Sequence, residues 1–109
     1  MSRIILVHGA WHGGWCWSQL LPFLQDAGHQ VIAPDLPGHG SNQAPLNKIS
    51  LNRYVDSIAA LLDDKQPTVL IGHSMGGLVI SQVAERYPEK IEKLIFLLRV
   101  RFRNINFRS

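Results

Sequence analysis

A serine with a glycine at each second neighbour is the part of this sequence best suited to chemistry. Residues 72–77 read GHSMGG, so that Gly72 and Gly76 lie two residues before and after Ser74. A nucleophile on a very tight strand-to-helix turn has a strained backbone, and side chains at its second neighbours would collide with the adjoining strand and helix. The helix that follows would place its positive dipole end at the Ser74 hydroxyl. The spacing therefore predicts that Ser74 is a nucleophile.

A second glycine-rich run, HGAWHGGW, occupies residues 8–15. Acyl transfer needs two backbone N–H groups that point at the oxyanion of the tetrahedral intermediate. The residue after the nucleophile, Met75, supplies one, and a glycine-containing loop after a neighbouring strand supplies the other, for which Ala10 is the candidate. A glycine-rich turn packed by tryptophans is the alternative interpretation of this run. His8 and His12 have no third ligand nearby, so the sequence predicts neither a metal centre nor a cofactor.

Four short apolar runs and three helical stretches supply the elements that would position these residues. The apolar runs, rich in β-branched residues, cover residues 3–8, 30–33, 68–71 and 93–98. Helices are predicted from about residue 18 to 27, from residue 51 onward, and from about residue 75 to 86. This alternation indicates an α/β fold, with a parallel sheet of about four strands, right-handed crossovers and helices on both faces.

Local signals mark the ends of these helices. Pro22 belongs in the first turn of the first helix, which Gly28 ends. Ser50 is the N-cap of the second helix, and Pro88 follows the end of the third. The second helix carries an apolar stripe formed by Leu51, Val55, Ile58 and Leu62. The third helix includes Leu78, Val79, Gln82 and Val83.

The composition indicates one folded core and an unusual C-terminal tail. Of 109 residues, 46% are hydrophobic and 17% are charged, which is typical of a folded chain of one domain. Residues 1–98 hold seven basic and eight acidic residues, whereas residues 99–109 hold four Arg and no acid. We therefore predict a body over residues 1–98, a basic tail over residues 99–109 and no nucleic-acid partner. The apolar runs are too short for a membrane span or a signal peptide, so we predict a cytoplasmic chain without a membrane partner.

The chain resembles the α/β-hydrolase superfamily. The resemblance covers residues 3–98 and rests on HGAWHGGWCW at residues 8–17, AGHQVIAPDLPGHG at residues 27–40 and the GHSMGG turn. These segments look most like the methylesterase and hydroxynitrile-lyase branch of bacteria and plants. The resemblance implies the strand order second, first, third, fourth. In that order the loop over residues 8–15 faces the Ser74 turn across the crevice where ligands bind.

The resemblance also implies a reaction and a set of site residues. Ser74 would be the nucleophile of a carboxylesterase-like hydrolase acting on a small-molecule ester, and the Ala10 and Met75 amides would form the oxyanion hole. The residues assigned to substrate binding are Gly9, Trp11 and His73. One alternative is a hydroxynitrile lyase that uses the same site without an acyl-enzyme. Another is a non-catalytic fragment that binds a partner or a small molecule.

The sequence departs from the family pattern after residue 98. The family's triad runs in the order Ser, Asp or Glu, His, but after Ser74 this sequence has no His and no Asp, and its acids are Glu85, Glu89 and Glu92. We therefore interpret the chain as the N-terminal half of a hydrolase, inactive or nearly so. An uncovered edge at the fourth strand predicts self-association. A basic extension that prolongs this strand is the alternative interpretation of the tail.

Overall fold

A computed structural model describes residues 2–9, 14–38 and 50–97. The strands are β1 (Arg3–Val7), β2 (Gln30–Ile32), β3 (Thr68–His73) and β4 (Ile91–Leu97). The helices are α1 (Leu20–Asp26), α2 (Leu51–Ala59) and α3 (Met75–Arg86), and short 3-10 turns cover Gly14–Trp17 and Pro88–Lys90. The predicted site residues Ala10 and Trp11, and the predicted tail over residues 99–109, lie outside the described residues.

The strands of the described residues form one parallel sheet in the order β2-β1-β3-β4. This confirms the predicted α/β fold and strand order. β1 and β3 lie inside the sheet and are buried along their whole length, because both have a strand on each side and packing on each face. Leu6 pairs with Ile71 and Val7 pairs with Gly72, so these two strands end together just before Ser74.

Helices cover both faces of the sheet, as the sequence predicts. Successive residues of a strand point to opposite faces, so Ile5 of β1 belongs to one core and Leu6 to the other. The first core packs the sheet against α2 and α3, and its helical members are Tyr54, Val55, Ile58, Val79, Ile80 and Val83. The second core packs the sheet against Trp17 and against Leu20, Leu21 and Leu24 of α1.

Most of the predicted helix signals are confirmed. The Ser50 side chain accepts a hydrogen bond from the Arg53 backbone N–H at 3.2 Å, which makes Ser50 the N-cap of α2. Gly28 has φ +93° directly after α1, a conformation that favours glycine. The predicted stripe on α2 is wrong at both ends, because Leu62 lies beyond the helix, which ends at Ala59, and Leu51 begins the helix and is exposed. Tyr54 is buried instead.

β3 and β4 differ from the predicted spans. β3 continues to His73 because Gly72 and His73 still pair with Phe96 and Leu97. β4 begins at Ile91, two residues earlier than predicted, directly after the second 3-10 turn. No strand among the described residues pairs with the outer side of β4. No helix within the described ranges is long and apolar enough to cross a membrane.

Candidate active site

Ser74 lies on the turn between β3 and α3, at the end of the sheet where the carboxyl ends of the parallel strands meet. Its backbone has φ 56° and ψ −119°, the one positive φ outside glycine in the described part of the chain. Such a conformation is strained for a residue with a Cβ. The Ser74 N–H donates to the Leu97 carbonyl at 3.4 Å, and its carbonyl accepts from the Gly77 N–H at 2.8 Å. The side chain itself is exposed, at the N-terminus of a twelve-residue helix.

Both second neighbours of Ser74 lie against backbone atoms. A Cβ at Gly72 would lie 2.6 Å from the Gly76 carbonyl oxygen. A Cβ at Gly76 would overlap the carbonyl oxygen of Val7, the last residue of β1. These contacts confirm the predicted reason for the two glycines. A side chain at Gly72 would collide with α3, and a side chain at Gly76 would collide with β1.

Gly9, the first glycine of the loop after β1, lies directly beside Ser74. A Cβ at Gly9 would lie 3.1 Å from the Ser74 Cβ and 3.0 Å from the His73 carbonyl oxygen. The start of the β1 loop and the Ser74 turn are therefore adjacent, as predicted from the strand order. Ala10 and Trp11 follow Gly9 outside the described residues, so their predicted roles stay predictions.

Two other predicted site residues flank Ser74. His73 is almost fully buried, and its Nδ1 would lie 3.2 Å from a Cβ at Gly9. Met75 begins α3, so its N–H has no acceptor four residues earlier within the helix and is available to an anion. Its side chain packs against the core formed with α2 and α3. The assignments of Met75 to the oxyanion hole and of His73 to substrate binding stay predictions.

A groove of about 560 Å³ opens beside Ser74, between α3 and β4. It is lined by Gly72, Ser74, Gly77, Leu78, Ser81, Phe96 and Leu97. None of these lining side chains ionises near neutral pH, so none of them can take a proton from Ser74. Leu78 and Phe96 form apolar walls and remain 52% and 54% exposed.

His8 joins the loop after β1 to the loop after β2. It is fully buried, its Nε2 accepts the Leu36 backbone N–H at 3.0 Å, and its Nδ1 lies 2.8 Å from the Gly9 carbonyl oxygen. The sequence places His8 in the HGAWHGGW run, where we considered it with His12 as a metal pair, without assigning it a role in holding the loop. The sequence feature that could have indicated this contact role is the position of His8 between a buried strand and Gly9.

Asp35 fixes the far end of the same loop. Its carboxylate accepts the Gly14 N–H at the start of the first 3-10 turn. A Cβ at Gly14 would overlap the carbonyl oxygen of Ala33, so this turn lies tightly on the segment that follows β2. Residues 8–9 and residue 14 are thus both held by the segment from Ala33 to Leu36. The sequence identified this segment as part of a family motif, without a role for Asp35.

The ion pairs of the described residues lie away from Ser74. Lys90 and Asp64 are 2.8 Å apart and precede β4 and β3, at the opposite end of the sheet. The hydrogen bond from Lys90 lowers the pKa of Asp64, and the same bond raises the pKa of Lys90. Burial raises the pKa of the Tyr54 hydroxyl within the core. No group of three potential metal ligands occurs among the described residues.

Comparison with known proteins identifies the family. A family model described as the alpha/beta hydrolase fold matches residues 2–99. The chain belongs to the α/β-hydrolase family. This α/β hydrolase is 40% identical over 104 residues to norfluorocurarine synthase 1 of Strychnos nux-vomica, covering 91% of this chain and 39% of the relative. It is 37% identical over 99 residues to methyl jasmonate esterase 1 of Vitis vinifera, covering 87% and 38% respectively.

A solved structure supports the same family assignment. The crystal structure of polyneuridine aldehyde esterase matches this α/β hydrolase with a TM-score of 0.81 and 37% identity, covering 88% of this chain and 39% of that one. The predicted resemblance to the methylesterase branch is confirmed. The chain spans about two fifths of the length of the relatives it matches.

Proposed function

We propose that this chain forms the nucleophile-bearing part of a serine hydrolase that cleaves small-molecule carboxylic esters. The observation that carries the proposal is the strained, exposed Ser74 at the N-terminus of α3, with Gly9 of the β1 loop against it. Strain of this kind persists where the surrounding structure over-determines it, and it clusters at functional sites. The names of the similar methyl jasmonate esterase and polyneuridine aldehyde esterase support ester hydrolysis.

In the proposed reaction, Ser74 Oγ bonds to the ester carbonyl carbon and its hydroxyl proton passes to a base. The Met75 and Ala10 amides donate hydrogen bonds to the resulting oxyanion. The carbon–alkoxy bond then breaks, the alcohol leaves with a proton, and water releases the acid from the acyl-enzyme. The residues proposed to contact the substrate are Gly9, Trp11 and His73.

Turnover by the 109-residue chain is proposed to be very slow. No His and no Asp follow Ser74 in the sequence, and none of the described side chains that line the groove can act as a base. Enzymes that lose their triad retain roughly 10³- to 10⁴-fold acceleration from binding and the oxyanion hole. The described residues therefore offer Ser74 no base in the groove, and stoichiometric modification of Ser74 is a better measure of the site than turnover.

A fluorophosphonate probe tests the proposal directly. We expect one adduct, located at Ser74 by mass spectrometry of peptides, and no adduct in Ser74→Ala. The matched control is Ser81→Ala, because Ser81 lines the same groove while its hydroxyl donates to the Gly77 carbonyl within α3. Labelling that persists in Ser74→Ala, or that disappears in Ser81→Ala alone, would place the nucleophile elsewhere.

The proposal also covers the self-association of the chain and its location in the cell. The edge strand β4 exposes Ile95 and Phe96 on the sheet faces beside its unpaired backbone, and we propose that copies of the chain associate through this edge. A cytoplasmic location is proposed on the ground that the first apolar run is short and is used as the buried strand β1.

A further inference from the structure

The open side of Ser74 is the side that faces β4. In the sheet order β2-β1-β3-β4, Ser74 follows β3, so β1 and β4 lie on opposite sides of it. On the β1 side Gly9 is already in contact, because a Cβ there would lie 3.1 Å from the Ser74 Cβ. On the β4 side the described residues leave the groove of about 560 Å³. A group bonded to Ser74 Oγ therefore finds room toward β4.

The groove follows one face of α3 away from Ser74. Gly77, Leu78 and Ser81 come three, four and seven residues after Ser74, which is the spacing of one helix face. With a rise of about 1.5 Å per residue, Ser81 lies about 10 Å from Ser74 along the helix axis. Phe96 of β4 forms the opposite wall. The groove thus starts at the nucleophile and continues for about two turns of helix.

The walls of the groove suit an uncharged apolar chain. None of the described lining residues carries a charge. Leu78 and Phe96 are both about half-exposed, so apolar surface on both walls still faces water. Among these lining residues, the hydroxyl beyond Ser74 is that of Ser81, and it already donates to the Gly77 carbonyl at 2.9 Å. A ligand in the groove would therefore gain chiefly from hydrophobic burial.

Gly77 keeps the groove open beside Ser74. A helix interior disfavours glycine, so a glycine there calls for a reason. Gly76 has its reason in the Val7 carbonyl, whereas a Cβ at Gly77 would meet no described backbone atom outside α3 within 4 Å. The described atoms it would meet belong to the Phe96 ring, at 3.1 and 3.6 Å. A side chain at residue 77 would thus project across the groove, and its absence leaves the room between α3 and β4.

We propose that the groove between α3 and β4 binds the acyl chain of the ester, so that the substrates are esters of linear aliphatic acids. This inference rests on the proposed function of Ser74 and adds the substrate class to it. A linear chain suits a space that extends along one helix face. The acyl group stays bonded to Ser74 until water releases it, so its contacts with Leu78 and Phe96 act in both steps of the reaction.

A series of p-nitrophenyl esters, from acetate through butyrate and hexanoate to octanoate, tests the substrate class with the full chain. Ser74 Oγ bonds to the carbonyl carbon, nitrophenolate leaves, and the buffer takes the hydroxyl proton. The measured quantity is the rate constant for acylation of Ser74, followed by mass spectrometry and divided by the rate constant of the same ester with hydroxide.

The expected result is a rise in this normalised rate with the length of the acyl chain. A fully buried methylene is worth about a fourfold factor. Because the groove is open to solvent, we expect about twofold per methylene, or roughly 50-fold from acetate to octanoate. A series without this rise would overturn the proposal. An equal rise when the same chains are placed on the phenol instead of the acid would also overturn it.

Two substitutions fill the groove at different distances from Ser74. Gly77→Ala narrows the near end and should lower the octanoate-to-acetate and butyrate-to-acetate ratios several-fold. Ser81→Leu fills the far end and should lower the octanoate-to-butyrate ratio alone. Glu85→Leu is the matched control, because Glu85 is exposed on α3 one turn beyond Ser81 and does not line the groove.

Ratios within one variant do not depend on how much of that variant is folded. Octanoate acylation of Ser81→Leu with an unchanged ratio to butyrate would overturn the proposal, as would an equal loss in Glu85→Leu. The chain acylated with octanoate gives a measurement without any variant. Its NMR spectra should show nuclear Overhauser contacts from the acyl methylenes to the Leu78 methyl groups and the Phe96 ring, and their absence would contradict the proposal.

Failure of the proposed function looks different from failure of this inference. If Ser74 is not the nucleophile, neither the esters nor the fluorophosphonate probe modifies it. If Ser74 is the nucleophile and the groove does not bind the acyl chain, Ser74 is modified at a rate that does not depend on chain length.

Discussion

Gly76, in the first turn of α3, lies directly on the carbonyl oxygen of Val7, so that a Cβ at position 76 would overlap this oxygen. Val7 is the last residue of the buried strand β1 and cannot move without shifting the centre of the sheet. The neighbouring Gly77 is different, because a Cβ there would lie 3.1 Å from a ring atom of Phe96, which is half-exposed. A Cβ at Gly76 would thus meet rigid backbone, whereas a Cβ at Gly77 would meet a side chain that can move.

We expect Gly76→Ala to lower the free energy of unfolding by about 3 kcal/mol or more, because overpacking against backbone forces the helix away from the sheet. Gly77→Ala is the matched control and should cost less than about 1 kcal/mol, since Phe96 can turn away and alanine favours the helix. Thermal or urea unfolding of both variants measures the difference. Equal losses would show that the contact with Val7 is not what requires Gly76.

The hydrogen bond from the Gly14 N–H to the Asp35 carboxylate predicts that two substitutions of Asp35 differ in their loss of stability. Asp35→Ala removes the acceptor, and hydrogen bonds to charged groups contribute about 1.5–3 kcal/mol. Asp35→Asn keeps an oxygen acceptor without the charge and should lose about half as much. Amide hydrogen exchange should accelerate over Gly14–Trp17 in the alanine variant. Unchanged exchange there would contradict a role for Asp35 in holding this turn.

The groove beside Ser74 predicts rescue by an external base. Because the described side chains that line it include no base, added imidazole that enters the groove should raise the rate of Ser74 phosphonylation in proportion to its concentration. Leu78→Trp should reduce this rescue several-fold by filling the groove. Phe23→Trp on α1 is the control, because Phe23 is 70% exposed on the other side of the sheet. Equal rescue in both variants would place the entry of the base elsewhere.

The sequence was sufficient for the sheet order and the serine turn but not for the contacts that hold the site together. Residues 72–77 carry their own signal, because steric demands within one tight turn act on adjacent residue types. His8 and Asp35 instead bind the backbone N–H groups of Leu36 and Gly14, across 28 and 21 residues. Backbone donors occur at almost every residue, so no residue type marked these partners.

The exposed faces were unpredictable for a related reason. Leu78 satisfies the apolar pattern of α3 and is nevertheless half-exposed. Periodicity places apolar residues on a helix face, but burial depends on what packs beside that face. Beside Leu78 the described residues leave the groove between α3 and β4.

The ion pair between Lys90 and Asp64 predicts that stability falls at low pH and again at high pH. Because the pKa of Asp64 is lowered from 3.8, its contribution to stability is present above this value and is lost as the pH falls through the lowered pKa. Because the pKa of Lys90 is raised from 10.5, its contribution is present below this value and is lost as the pH rises through the raised pKa.

Asp64→Asn should therefore lower the thermal midpoint slightly between these limits and not beyond them. Salt at 1 M, with a screening length of about 3 Å, should remove most of the difference, because Asp64 is exposed and Lys90 is only half-buried. In Lys90→Gln the further change Asp64→Asn should have no effect. An effect of Asp64→Asn that persists without Lys90 would assign it to another partner.

The outer side of β4 predicts self-association of the chain. Of the two edge strands, β2 has only three residues, whereas β4 has seven and exposes Ile95 and Phe96. A long edge with apolar side chains offers unpaired backbone groups to another strand. We expect sedimentation velocity to show oligomers that grow with protein concentration. Ile95→Lys should shift the distribution toward monomer, because natural edge strands use lysine to prevent such pairing.

Phe23→Lys is the matched control for this experiment, since it adds the same charge at an exposed apolar residue on α1. Its oligomer distribution should remain that of the unmodified chain, because α1 offers no unpaired strand. A loss of oligomers in Phe23→Lys equal to that in Ile95→Lys would mean that net charge, rather than the edge, controls association. A concentration-independent monomer with one cooperative thermal transition would show that β4 is tolerated as a free edge, despite a stability margin of about 5–15 kcal/mol for a domain of this kind.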